Sequence, residues 1–85
     1  MKYKKGDRVK VITEEYIKET FKFMNDKYYG QCYMNDYFEC FNVTDLVMCG
    51  EIVTIGYECE HFYEVEGYTE GEFLLQDHMI EGKVD

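Results

Sequence analysis

Phe41-Asn42-Val43-Thr44-Asp45-Leu46-Val47-Met48-Cys49-Gly50-Glu51-Ile52-Val53-Thr54-Ile55 is the stretch whose reading decides the fold. Thr44 is placed to cap a single helical turn, Leu46 to Met48 give that turn an apolar side, and Gly50 supplies a positive-φ stop. Glu51 to Gly56 then reads as a strand, with Val53 and Ile55 on one face and Thr54 on the other. A helical turn feeding a central strand is the unit around which the other segments are arranged.

Toward the N-terminus, Lys5-Gly6-Asp7 reads as a turn and Arg8 to Ile12 as a strand with Val9 and Val11 inward and Arg8 and Lys10 outward. Thr13, followed by Glu14, Glu15 and Tyr16, carries a helix-start signal, and Ile17, Phe21 and Met24 recur at helical spacing, which predicts about three turns ending near Asn25. Tyr28 to Cys40 is dense in aromatics, with turn signals at Gly30 and Asn35-Asp36. It reads as a long ordered loop or a short extra hairpin. Toward the C-terminus, Tyr57 to His61 is a tight connection, Phe62 to Glu66 a strand with Tyr63 and Val65 on one face, and Gly67 to Gly71 a turn. Glu72 to Gln76 is a further strand with Phe73 and Leu75 on one face, and Asp77 to Ile80 closes as a helical turn. The expected core is Val9, Val11, Val53, Ile55, Val65 and Phe73.

Composition agrees with a mainly β reading. The 85 residues include nine Tyr and six Phe but no Trp or Pro, and the best helix former, Ala, is absent. A chain of this length has room for one small domain. No long apolar run occurs, and Met1-Lys-Tyr-Lys-Lys leads straight into a strand, so a cytoplasmic location is expected. Cys32, Cys40, Cys49 and Cys59 are then expected to stay reduced.

Lys5-Gly6-Asp7-Arg8-Val9-Lys10-Val11, Met48-Cys49-Gly50-Glu51-Ile52-Val53-Thr54-Ile55 and the closing Phe73 to Val84, with Asp77-His78-Met79-Ile80-Glu81-Gly82-Lys83-Val84, occur in the order seen in one known group. The chain resembles the small SH3-like barrels of phages and prophages of Gram-positive bacteria, distant relatives of the mind-bomb repeat. The resemblance implies one antiparallel SH3-like barrel over residues 1–85, with a helical or irregular insertion at about 13–40. Leu75 stands where such barrels usually carry Trp, and the segment Thr13 to Cys40 is longer than their usual first loop.

Net charge is -9, and its distribution is uneven. Lys2, Lys4, Lys5, Arg8 and Lys10 make the N-terminal strand basic, whereas residues 28–82 contain twelve acids and no Lys or Arg. Phosphate contact needs Lys and Arg, so that long segment is disfavoured as a nucleic-acid surface. Catalysis is not expected either. Ser is absent, no phosphate-cradling Gly-rich loop precedes a helix, and Cys59-Glu60-His61 lies too close together on an extended segment to converge as nucleophile and base. With no Cys-x-x-Cys pair, neither metal nor cofactor is assigned. The adjacent carboxylates Glu64 and Glu66 read as the solvated face of a strand rather than a catalytic pair.

What remains is protein binding. Glu58, Glu60, Glu64, Glu66, Glu70 and Glu72 are the candidates to meet a basic groove, since carboxylates two apart on a strand are about 6.7 Å apart, on the scale of successive phosphates. Tyr28, Tyr29, Tyr33, Tyr37 and Phe38 are the candidates for the apolar centre of such an interface. The expected partner is a host nucleic-acid-binding defence protein, such as a CRISPR effector, with this chain as its acidic inhibitor. Solubility alone is the competing account of the acids. Two other functions stay open: a phage structural or adaptor protein, and nucleic-acid contact through the basic N-terminal strand.

Overall fold

A computed structural model describes residues 2–68 and 73–84. The protein is mainly β and antiparallel, and the chain divides into two compact units: Met1–Val11 with Glu51–Asp85, and Ile12–Gly50.

In the first unit, β1 (Arg8–Val11), β5 (Ile52–Glu58), β6 (Tyr63–Val65), β7 (Leu74–Leu75) and β8 (Ile80–Val84) form one sheet in the order β7-β6-β5-β1-β8. This sheet curls into a half-barrel, compatible with a small SH3-like barrel. The alternation in β1 does what it predicts: Val9 and Val11 are fully buried, and Val9 pairs with Val53 across β5. Gly6, at φ +92, makes the turn that brings Asp7 back to Lys4 and starts the strand. The six expected core residues are all buried, joined by Tyr63, Leu75, Met79 and Ile80. Full burial of a side chain such as Ile55 stabilises by about 1.5–3 kcal/mol.

Two differences in this unit have physical reasons. β5 runs on through Glu58, so the connection after it is only the turn in which the Cys59 N–H donates to the Phe62 carbonyl. The closing helical turn stops at Met79, and Ile80 opens β8 instead of ending the chain's regular structure. β8 pairs along β1 from Val84 opposite Arg8 to Ile80 opposite Val11, with a bulge that brings Ile80 inward. Polar Glu81-Gly82-Lys83 hides this strand in the sequence. The expected turn at Gly67 to Gly71 and the start of the strand at Glu72 extend over 69–72, which lie outside the described residues, although Gly67 is at φ +90.

In the second unit, Thr13 caps α1 (Glu14–Thr20) by accepting from the Tyr16 N–H at 3.1 Å, as expected. The helix ends after seven residues rather than near Asn25. From Phe21 the backbone is extended, and β2 (Lys22–Asp26), β3 (Gly30–Met34) and β4 (Cys40–Asn42) make a three-stranded meander. Ile17 and Phe21 are buried as the helical spacing predicts, but Met24 is exposed on a strand. Aromatic Phe21 and Phe23 favour extended backbone, and five paired residues from Lys22–Met34 to Asp26–Gly30 outweigh about one further helical turn. Of the alternatives for Tyr28 to Cys40, the hairpin is the one present.

After β4 comes a 3₁₀ helix, Val43–Met48, capped not by Thr44 but by Asn42, whose Oδ1 accepts from the Thr44 N–H at 2.9 Å and the Thr44 hydroxyl at 2.8 Å. Met48 is buried while Val47 points to solvent, and Gly50 makes the positive-φ stop at +77.

Candidate partner-binding surfaces

The acidic candidates do not share one face. Glu60 and Glu66 are exposed, and Glu64 is half-buried on β6. The register of β5 against β6 shifts between Ile55 and Tyr57, so Tyr57 lies opposite Glu64 and Glu58 lies opposite Tyr63. Residues opposite one another in a sheet share a face, and a one-residue slip flips the side chains that follow. Glu58, exposed at the end of β5, is therefore on the face of Tyr63 rather than that of Glu64. Gly56 is what permits the irregularity: a Cβ there would stand 3.1 Å from the Glu66 nitrogen and 3.4 Å from the Glu64 carbonyl oxygen. Glu60 lies 3.6 Å from His61 Nε2, an ion pair only when the imidazole is protonated. Glu70 and Glu72 lie outside the described residues.

The strand that carries Glu64, β6, is anchored by Tyr63. Its hydroxyl accepts from the Tyr3 N–H at 2.9 Å and donates to Asp77 Oδ1. Burial, and then the bond to Asp77, push the Tyr63 phenol up against the opposing pull of the Tyr3 N–H.

The aromatic candidates are distributed along the meander. Tyr28 and Tyr29 occupy the β2–β3 turn, where the Asp26 carboxylate accepts from both their N–H groups at 2.9 and 3.3 Å. Tyr37 and Phe38 occupy the β3–β4 turn at the other end of β3, about 14 Å away along a five-residue strand. Tyr33 lies between, half-buried, with Phe23 edge-on at a ring-centroid distance of 5.5 Å. In the β3–β4 turn, Asn35 Oδ1 accepts from the N–H groups of Tyr37 and Glu39, both at 3.0 Å, and its Nδ2 donates to Glu39 Oε1 at 2.8 Å. This cage holds Phe38 at φ 62 with the residue 83% exposed. A bulky residue in the left-handed region is strained, and such strain gathers where a residue is held for use.

Sequence reasoning missed Phe23, Met24 and Tyr16, all exposed. The signal for the first two was present as apolar residues beside Lys22 and Asn25, but a helical assignment turns Met24 inward with Ile17 and Phe21 and leaves Phe23 off that face. The basic N-terminal segment is only partly open: Lys10 is 3.7 Å from Glu81, and Lys83 pairs with Asp7 at 3.4 Å. Lys2, Lys4, Lys5 and Arg8 are exposed.

Among the cysteines, Cys32 is buried and Cys40, Cys49 and Cys59 are half-buried. β3 and β4 bring Cys32 and Cys40 together as diagonal neighbours, with Cys32 opposite Asn42 and Cys40 opposite Met34. Burial, the Cys32 thiol and the charges of Asp26 and Asp45 push the Cys40 thiol up to about 11. Burial also pushes up Cys49 and Asp45. Such thiols stay protonated and are poor nucleophiles near neutrality. Among the described residues no group of three or more His, Cys, Asp or Glu is placed to hold a metal ion, and no helix is long and apolar enough to cross a membrane.

Comparison with known protein families, with curated proteins and with solved structures finds no match for this chain.

Proposed function

We propose that this protein is a non-enzymatic, acidic protein-binding module that occupies the basic groove of a host nucleic-acid-binding protein, in the manner of an inhibitor of a defence nuclease. The observation that carries this reading is the run of residues 28–82, which holds twelve acids without one Lys or Arg. A surface selected only for solubility intersperses both signs. Glu58, Glu60 and Glu66 are exposed in the first unit and free to face a cationic groove. In the second unit, the Asn35 cage presents Phe38 beside Tyr37, which is 82% exposed. Interfaces draw most of their affinity from such aromatic anchors, while charges steer the approach.

The experiment is capture of partners from host lysate, followed by competition with nucleic acid. The reading predicts a captured nucleic-acid-binding protein whose nucleic acid this chain displaces with equal stoichiometry. Capture of a partner that still binds its nucleic acid at full affinity in the complex would overturn it.

A further inference from the structure

We propose that β2 is the surface through which this chain pairs with a second copy of itself, the two β2 strands running antiparallel about a two-fold axis at Met24. β2 is an edge of the β2-β3-β4 sheet, and its outer side makes no backbone hydrogen bond among the described residues. Lys22, Phe23, Met24 and Asn25 are all exposed and Asp26 is half-buried, with Phe23 at 57% and Met24 at 37%. A five-residue edge that shows apolar side chains and unpaired N–H and C=O groups is a template for another strand. The other five-residue edge, β8, lacks this character: Glu81 and Lys83 project from it into ion pairs with Lys10 and Asp7. β7 has only two residues.

The sequence of β2 selects a second copy as the occupant. An antiparallel pair centred on Met24 sets Lys22 opposite Asp26 of the second copy and Asp26 opposite its Lys22, so two unlike-charge pairs close the ends of one short ladder. A slip of two residues in either direction loses both. Phe23 then stands opposite Asn25 of the second copy and diagonal to its Phe23. This extends the aromatic row that already runs from Phe41 through Tyr33 to Phe23 in register across the meander. The pairing makes one six-stranded sheet from two three-stranded ones. Its contact area is small, so a weak dimer is expected, dissociating at about 10–100 µM as low-area interfaces do.

The test is sedimentation velocity on the whole chain across that concentration range, with native mass spectrometry of mixed variants. Lys22→Glu alone and Asp26→Lys alone each place like charges at both ends of the ladder and should weaken the dimer about tenfold or more. Mixed in equal amounts, the two variants restore both unlike-charge pairs, and heterodimers should form while neither homodimer does. Asp26 also holds the Tyr28–Tyr29 turn, so Met24→Lys, at an exposed position, serves as a second variant that keeps the fold and sets two cations at the axis. Far-UV circular dichroism checks each variant. A parent that sediments as a monomer throughout overturns the proposal. So does a dimer that survives Met24→Lys, or one that weakens with the single reversals but is not recovered in the mixture.

Discussion

Phe38 occupies a backbone conformation that suits glycine, and Asn35 Oδ1, accepting from the flanking Tyr37 and Glu39 N–H groups, holds it there with its ring in solvent. The fold gains little from a ring so exposed, and in the proposed function it serves as an aromatic anchor for the partner. Phe38→Gly should therefore leave stability unchanged or raise it by about 0.5–1 kcal/mol in denaturant unfolding, through relief of left-handed strain, while weakening partner binding. A clear loss of stability would mean that the ring packs rather than binds. Tyr63 and Cys40 contribute to the alkaline limit. Both are neutral when protonated and both are pushed up in the fold, so their contribution is complete below the ordinary value and is lost as pH rises through the folded one. For Cys40 that window runs from 9.0 to about 11, and Tyr63 adds to it above 10.0. Melting temperature should fall across pH 9–11, and Cys40→Ala should flatten the decline; an unchanged slope would contradict the burial of the Cys40 thiol, and after it the placement beside Cys32. Asp7 acts at the other end of the scale. The Lys4 N–H holds its carboxyl below the usual range, so its contribution is lost as pH falls through that lowered value.

Gly56 is the element-scale counterpart, because the bulge it permits decides which residues of β5 and β6 share a face. Gly56→Ala drives a methyl group against the β6 backbone and should destabilise by about 1–3 kcal/mol, a shift in the urea midpoint without a change in slope. A neutral substitution would contradict the tight crossing. Alternation made β1, β5 and β6 legible, since Val9, Val53, Ile55 and Val65 each face the core that their neighbours define. β2 was not legible for a reason of the same kind. Ile17, Phe21 and Met24 fit one face of a helix, and only the pairing of Lys22 to Asp26 with a strand several residues later shows that the helix stops. β8 was hidden because its polar residues are held by β1 rather than by their own hydrophobicity. The approach of Cys32 to Cys40 depends on hairpin register, which no spacing rule in the sequence encodes. Among the candidate binding residues, exposure of Glu60, Glu66, Tyr37 and Phe38 could be anticipated. The separation of Glu58 from Glu64 could not, because it follows from one bulge.

For the whole molecule, charge is the dominant property: at -9, association with a basic partner gains from long-range steering and falls as salt screens it. In the proposed complex the exposed carboxylates Glu58, Glu60 and Glu66 would carry that steering, with the half-buried Glu64 less so. The most direct measurement is the association rate with the captured partner from about 0.05 to 0.5 M salt, a range over which the Debye length falls through about 8 Å near 0.15 M. The parent should associate progressively more slowly as salt rises, and a Glu60→Gln, Glu66→Gln double variant should show a shallower slope and a slower rate at low salt with an unchanged melting temperature. Replacing Lys2, Lys4 and Lys5 with Gln should leave the slope as it is. Equal rates for parent and double variant at every salt concentration, or a loss of binding on removal of the lysines, would contradict the account.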